Sequence, residues 1–192
     1  KYEGYIFDLD GTLVDSMPLH YRAWREALAR AGAPDHVFRA DEFYSCGGKS
    51  ANDVVRFLNE RYGMHMDAAS TAADKRRIYL EMLEKEGMQP IREVVEFVHS
   101  LGDAPKAIAT GSAMPGASRT LAAAGLSGLF DVILTPDEVE HGKPAPDMFL
   151  KAAELLGVSP DRCVVFEDAE PGMKAAAAAG MDCIQVRRPS LA

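Results

Sequence analysis

Residues 5–16 read YIFDLDGTLVDS, a short apolar run that leads into two acidic residues. The run from Tyr5 to Leu9 is typical of a β-strand that is covered on both faces. Asp8 and Asp10 are two positions apart, so a strand directs both carboxylates to the same side, and Gly11 then allows a sharp turn. Taken alone the pattern also fits an ordinary turn. A calcium loop of the EF-hand type is excluded because the sequence lacks the oxygen ligands that such a loop needs.

Four further β-rich runs follow along the chain: Lys106 to Thr110, Asp131 to Leu134, Cys163 to Glu167 and Cys183 to Val186. Helical patterns separate these runs. Alternating strands and helices imply parallel strands joined by right-handed crossovers. The predicted fold is therefore α/β, with a doubly wound, Rossmann-like parallel sheet of five strands. The ligand site of such a sheet lies at the carboxyl ends of its strands.

The segment from Ser16 to Lys85 interrupts this alternation, because it contains only helical patterns. It predicts a small helical bundle inserted after the first strand, beside the expected ligand site. We interpret residues 16–85 as a lid and residues 1–15 and 86–192 as the catalytic core. A bundle with a purely structural role is the alternative.

Composition excludes several classes of protein. The 192 residues are 47% hydrophobic and 26% charged, as in ordinary globular domains. With 21 basic and 29 acidic residues the net charge is −8, so nucleic acid and anionic membranes are not expected partners. The three cysteines form no CxxC pattern, and the sequence opens without an apolar leader, which favours the cytoplasm. We expect a monomer.

A second acidic pair, Glu167 and Asp168, ends the fourth predicted strand. In a parallel sheet this pair shares an edge with Asp8 and Asp10. Two like charges about 4 Å apart repel by roughly 4 kcal/mol at an effective dielectric constant of 20. A cation must therefore lie among these carboxylates, and ligands that are all oxygen favour Mg²⁺.

Two further strand ends carry groups that suit phosphate. Thr110 and Gly111 end the second predicted strand, where a hydroxyl and exposed backbone N–H groups can hold phosphate oxygens. Lys143 lies between rigid residues just before a helical pattern. Separately, the first feature also fits a turn and the second a solvated surface lysine. Together with the two acidic pairs, they place complementary charges at one rim of the sheet.

These stretches resemble the motifs of the haloacid dehalogenase superfamily of phosphohydrolases, subfamily I with a helical cap: Phe7 to Ser16, Thr110 to Ser112, Gly142 to Asp147 and Val164 to Gly180. The resemblance implies that Asp8 is the nucleophile and that Asp10 is the general acid and base, partly protonated when substrate binds. Thr110 and the Gly111 amide would hold the phosphoryl group, and Lys143 would neutralise its charge.

The resemblance also implies a ligand set for the cation. Asp8, the carbonyl of Asp10, Glu167 and Asp168 would surround Mg²⁺. An anionic carboxylate attacks a phosphate anion only if nearby cations cancel the repulsion, so Mg²⁺ and a lysine fit the physical requirement of the reaction.

Four residues of the predicted lid are candidates for contact with the substrate or with the apolar interior of the protein. His20 resembles the histidine that meets substrate near the hinge in sugar-phosphate members, whereas Trp24 is expected in the apolar core. Lys49 and Lys75 are candidate substrate ligands, with a solvated surface position as the alternative. Gly47 and Gly48 would let the backbone of the lid approach a ligand closely.

The expected activity is Mg²⁺-dependent hydrolysis of small phosphorylated sugars through an aspartyl-phosphate. Beta-phosphoglucomutase activity is the alternative, but the mutases usually carry Lys-Asn where this chain has Ala113 and Met114. A phospho-accepting receiver domain is the alternative from another class. Receivers carry the accepting acid after the third strand and have no helical insertion, so the sequence disfavours that reading.

Overall fold

The fold is described from a computed structural model for residues 1–47 and 49–187. Gly48, which we expect to let the backbone approach a ligand closely, lies outside the described residues. Within these ranges the chain forms one sheet of five parallel strands: β1 (Gly4–Phe7), β2 (Lys106–Ala109), β3 (Val132–Leu134), β4 (Cys163–Glu167) and β5 (Asp182–Gln185). The strand order is β3-β2-β1-β4-β5. The predicted doubly wound α/β fold is confirmed.

Eight α-helices connect and cover the strands in the part of the chain that is described: α1 (Met17–Arg30), α2 (Ala40–Ser45), α3 (Ala51–Tyr62), α4 (Ala68–Glu86), α5 (Arg92–Ser100), α6 (Met114–Ala123), α7 (Asp147–Leu156) and α8 (Glu170–Ala178). Side-chain caps fix two of the helix starts: the Asp53 amide donates to Ser50 Oγ at α3, and the Ser70 amide donates to Asp67 Oδ1 at α4. Over the described residues, no helix combines the length and the apolar character needed to cross a bilayer.

β3 and β4 end where the sequence predicts, whereas β1 and β2 end slightly earlier. β1 ends at Phe7 and β2 at Ala109, so Asp8 and Thr110 are the first residues beyond their strands. Their amides still extend the ladder, because Asp8 N donates to the Phe166 carbonyl and Thr110 N donates to the Leu134 carbonyl. These bonds hold both residues at the carboxyl edge of the sheet.

Two hydrophobic clusters cover the two faces of the sheet, as the alternation of strand side chains requires. Ile6 and its neighbours face α7 and α8, where small alanines of α8 allow close packing. Phe7 and its neighbours pack with residues of α1, α4, α5 and α6. The inner faces of α1 and α4 therefore share an apolar core with the sheet.

A third cluster lies wholly between residues 24 and 66 and joins α1, α2 and α3. Trp24 belongs to it and is only 4% exposed, as expected. Its ring meets Phe38 edge to face, with 5.6 Å between the ring centroids. The inserted helices thus have apolar packing of their own above the carboxyl edge of the sheet.

Candidate active site

Three carboxylates form a buried cluster at the carboxyl edge of the sheet. Oxygen atoms of Asp8, Glu167 and Asp168 all lie within 4.8 Å of one another. They meet because β1 and β4 are hydrogen-bonded neighbours that end at the same level. The donor set consists of oxygen alone, which fits a hard divalent cation such as Mg²⁺.

Lys143 lies inside this cluster and not on the surface. Its ammonium donates to Asp8 Oδ1 and to Glu167 Oε1, each at 2.7 Å, and to the Ala109 carbonyl at 2.8 Å. Three acceptors match the three protons of a lysine ammonium. The alternative reading of Lys143 as a solvated surface lysine is therefore wrong.

The buried charges shift the pKa values of this pair. Burial raises the pKa of Asp8 well above its usual value. The charge of Lys143 lowers this pKa, but the neighbouring carboxylates of Glu167, Asp168 and Asp10 raise it again. Burial alone lowers the pKa of Lys143, but the charges of Asp8 and Glu167 outweigh it and the net pKa is raised. Lys143 is thus cationic at every physiological pH.

Glu167 is held at both oxygens. Oε1 accepts from Lys143, while Oε2 accepts from the amides of Asp168 and Ala169, each at 2.9 Å. The two amides precede the first turn of α8, where the helix dipole favours negative charge. These bonds hold the carboxylate of Glu167 in place, and Glu167 in turn holds the ammonium of Lys143.

Around the phosphate-binding motif, the Ser112 amide donates to Thr110 Oγ1 at 3.0 Å, and Gly111 lines the cavity described below.

Thr12 was missed by the sequence analysis. Its hydroxyl donates to Asp168 Oδ1 at 3.3 Å. The available signal was its place directly after Gly11, whose φ of 91° turns the chain back across the edge of the sheet.

The hydrogen-bond partners of the Asp10 carboxylate lie outside the three-acid cluster. Oδ1 accepts from the Ser16 hydroxyl at 2.6 Å and contacts His20 Nε2 at 3.0 Å, while Oδ2 accepts from the Ser112 hydroxyl at 2.6 Å. The backbone carbonyl of Asp10 stays a predicted ligand of the cation. Burial acts to raise the pKa of Asp10, but His20 and these hydrogen bonds lower it below the ordinary range. The partial protonation that we expect when substrate binds stays a prediction.

His20 and Lys75 continue the network from the helical insertion. Lys75 Nζ lies 2.7 Å from His20 Nδ1. Since a lysine ammonium only donates, Nδ1 accepts and the ring proton lies on Nε2, facing Asp10. Burial and the charge of Lys75 lower the pKa of His20, and burial lowers the pKa of Lys75 to about 8. The ring of Tyr79 stacks on His20 with centroids 4.0 Å apart.

These groups open onto one cavity of about 350 Å³ between the sheet edge and the inserted helices. Its walls include most of the predicted site residues: Asp8, Asp10, His20, Lys49, Lys75, Gly111, Lys143 and Glu167. The sequence analysis had not assigned Asn52 and Arg76, which also line it. Gly47 comes so close to the core that a Cβ there would lie 3.1 Å from the Cβ of Ala169.

Comparisons with known proteins agree with this geometry. The family model for haloacid dehalogenase-like hydrolases matches residues 2–180. Fructose-1-phosphate phosphatase YqaB of Escherichia coli (strain K12) is 38% identical over 188 residues, covering 97% of each chain. Beta-phosphoglucomutase of Mycobacterium bovis is 34% identical over 201 residues, covering 91% of this chain and 77% of its own.

Among solved structures, a variant of CbbY from Rhodobacter sphaeroides in complex with xylulose-1,5-bisphosphate matches with a TM-score of 0.84 and 26% identity, covering 97% of this chain and 87% of that one. The motif resemblance, the sheet topology and these matches lead to one conclusion. The chain belongs to the haloacid dehalogenase-like hydrolase family.

Proposed function

We propose that this phosphomonoesterase hydrolyses small phosphorylated sugars with Mg²⁺ and forms an aspartyl-phosphate on Asp8. The observation that carries the proposal is the contact between Asp8 and Lys143, in which a buried carboxylate faces an open cavity while a cation compensates its charge. Such a carboxylate is available as a nucleophile. The 38% identity with a fructose-1-phosphate phosphatase supports the substrate class.

The cation site follows from the same cluster. Asp8, Glu167, Asp168 and the carbonyl of Asp10 would hold Mg²⁺. The bound ion would supply positive charge against the phosphoryl oxygens. Thr12 supports this arrangement because its hydroxyl donates to Asp168 and restricts that carboxylate.

In the first half of the reaction, a carboxylate oxygen of Asp8 forms a bond to phosphorus, and the bond from phosphorus to the sugar oxygen breaks. Asp10 gives its proton to the departing oxygen. The contacts with His20, Ser16 and Ser112 lower the pKa of Asp10, and the negative charge of an incoming phosphate would raise its proton affinity. Thr110, the Gly111 amide and Lys143 hold the transferring group and compensate its charge.

In the second half, water attacks the phosphorus of the aspartyl-phosphate and gives its proton to Asp10. The bond between Asp8 and phosphorus breaks, so that inorganic phosphate leaves and both carboxyl groups return to their starting state. We propose that residues 16–85 act as a lid above residues 1–15 and 86–192. In this role His20 and Lys75 connect the lid to Asp10.

The cavity limits the size and chemistry of the substrate. A volume of about 350 Å³ suits a single sugar phosphate. Lys49, Asn52 and Arg76 supply polar groups on the side of the inserted helices, where sugar hydroxyls would lie. Ala113, at a position where mutases usually carry lysine, leaves the opposite wall without that cation, which favours hydrolysis over retention of a second sugar.

The decisive experiment is a screen of hexose and pentose phosphates with Mg²⁺, in which inorganic phosphate and positional isomers are measured in parallel. Hydrolysis predicts phosphate release, and Asp8→Asn is expected to abolish it while the circular dichroism spectrum stays unchanged. Isomer formation without phosphate release would establish mutase activity instead. Stable phosphorylation of the wild-type chain without turnover would indicate a receiver.

A further inference from the structure

Ser112 makes a contact that the assigned roles leave unexplained. Its hydroxyl donates to Asp10 Oδ2 at 2.6 Å, and its amide donates to Thr110 Oγ1 at 3.0 Å. One residue therefore connects the proposed general acid with the proposed phosphate-binding hydroxyl. Ser112 also lines the cavity beside Gly111, which brings this connection next to the reacting group.

The two oxygens of Asp10 are held from different parts of the fold. Oδ1 is bound by Ser16, just before α1, and by His20 on α1 itself. The hydrogen bond to Oδ2 comes from the loop after β2, the loop that carries the phosphate-binding motif. Oδ2 is consequently the oxygen oriented by the catalytic core, and Oδ1 the oxygen oriented by the inserted helices.

Hydrogen bonds at one carboxylate oxygen alone restrict rotation about the Cβ–Cγ bond only in part, because they tolerate a range of angles. A further hydrogen bond at the second oxygen narrows that range and fixes the plane of the carboxylate. Proton transfer requires hydrogen-bond distance and alignment in the transition state, so lost orientation slows the step even when the acid itself is intact. The hydroxyl of Ser112 is the group that supplies this second constraint.

We infer that Ser112 is a positioning residue for Asp10, acting when the sugar oxygen is protonated and when water is deprotonated. The inference rests on the proposed function, since it assigns Ser112 to the proton-transfer steps of that reaction. It separates Ser112 from Thr110 and Gly111, which hold the phosphoryl group itself. If Ser112 acts only through Asp10, its removal lowers activity most on substrates whose leaving group needs a proton to depart.

That dependence supplies the test. A sugar alkoxide is a strong base and leaves only with a proton, whereas p-nitrophenolate is a weak base and leaves without one. The value of kcat/KM covers the steps up to departure of the leaving group, so it isolates the first proton transfer. We expect Ser112→Ala to lower kcat/KM about 10- to 100-fold on the preferred sugar phosphate and by less than about threefold on p-nitrophenyl phosphate.

Two variants serve as controls. Ser112→Thr keeps the hydroxyl and is expected to restore most of the activity on the sugar phosphate. Ser118→Ala removes an exposed hydroxyl from α6 and is expected to leave both substrates unaffected. Activity of Ser112→Ala on the aryl phosphate shows at the same time that this variant is folded.

Equal losses on both substrates would overturn the inference, because they would place Ser112 on the phosphoryl group or on the shape of the loop. A higher KM for the sugar phosphate with unchanged kcat would also overturn it, since Ser112 would then bind the sugar. If the wild type hydrolyses aryl phosphate but no sugar phosphate, the proposed substrate class fails instead. The same comparison between a simple alkyl phosphate and an aryl phosphate then still tests Ser112.

Discussion

Gly172 lies directly against the carboxylate of Glu167, so closely that a Cβ at Gly172 would fall 1.8 Å from Oε1. The glycine is the third residue of α8, and its missing side chain leaves the space in which Glu167 meets the start of that helix. The same carboxylate oxygen accepts from Lys143. The position of the lysine therefore depends on the absence of one methyl group in a neighbouring helix.

We expect Gly172→Ala to displace Glu167 and to disturb its contact with Lys143. The expected result is a loss of about 1–3 kcal/mol in the free energy of unfolding and at least about a tenfold loss in kcat. Urea denaturation and phosphate release measure the two effects. Gly116→Ala in α6 is the matched control for stability, because its Cβ would meet no atom within 4 Å and alanine favours a helix. An equal loss of stability in the two variants would contradict the tight fit at Gly172.

Removing the charge of Lys143 leaves Asp8 and Glu167 as buried carboxylates without their cation. We expect Lys143→Met to lower the free energy of unfolding by about 3–5 kcal/mol at pH 7. Because burial raises the pKa of Asp8, the loss is expected to shrink as the pH falls and Asp8 becomes protonated, since a neutral Asp8 needs no counter-charge. Lys151→Met, at an exposed ion pair on α7, is the control and should cost less than about 1 kcal/mol. A loss at Lys143 that does not change with pH would contradict this electrostatic explanation.

The three-acid cluster predicts a response to metal that does not require substrate. Because a bound cation relieves repulsion among Asp8, Glu167 and Asp168, Mg²⁺ should raise the melting temperature, and an excess of chelator should reverse the change. At a concentration 100 times the dissociation constant, the stabilisation is about 2.7 kcal/mol. Asp168→Asn is expected to lose the response, whereas Asp161→Asn, at an exposed position, should keep it. An unchanged Mg²⁺ response in Asp168→Asn would exclude this cluster as the metal site.

Lys75 gives a pH dependence of stability. Burial lowers the pKa of Lys75 to about 8 from 10.5, so the unfolded chain binds more protons between these values. Stability contributed by this group therefore rises with pH across that window, and below pH 8 its charge is a cost. We expect Lys75→Met to be more stable than the wild type at pH 7 by about 1–2 kcal/mol, with a smaller difference at pH 10.

Denaturation at the two pH values measures this difference, and phosphate release should show that the stabilised variant has lost activity. If the stability difference between Lys75→Met and the wild type grew with pH, burial of the charged Lys75 would not lower the free energy of unfolding. Lys85→Met is the matched control, because Lys85 is an exposed lysine near the end of the same helix, away from the cavity, and its replacement should leave this pH dependence unchanged.

The sequence alone determined the sheet and the groups at its edge. Near-continuous apolar runs separated by helical patterns permit few arrangements other than a parallel sheet. The polar residues after β1, β2 and β4 must then meet on one side, because parallel strands end together. For this reason Asp8, Glu167 and Asp168 could be predicted as neighbours, although more than 150 residues separate the first from the others.

The hydrogen-bond partners of Asp10 and the burial of Lys143 became known from the three-dimensional structure alone. Local sequence does not show that Asp10 turns toward Ser16, His20 and Ser112, because these partners come from separate elements and side-chain rotation is free in the isolated chain. Nor does it show that Lys143 is buried, since a lysine before a helix is more often solvated. The burial of a polar side chain and its choice of partner depend on packing between distant segments, which the periodicity of apolar residues does not report.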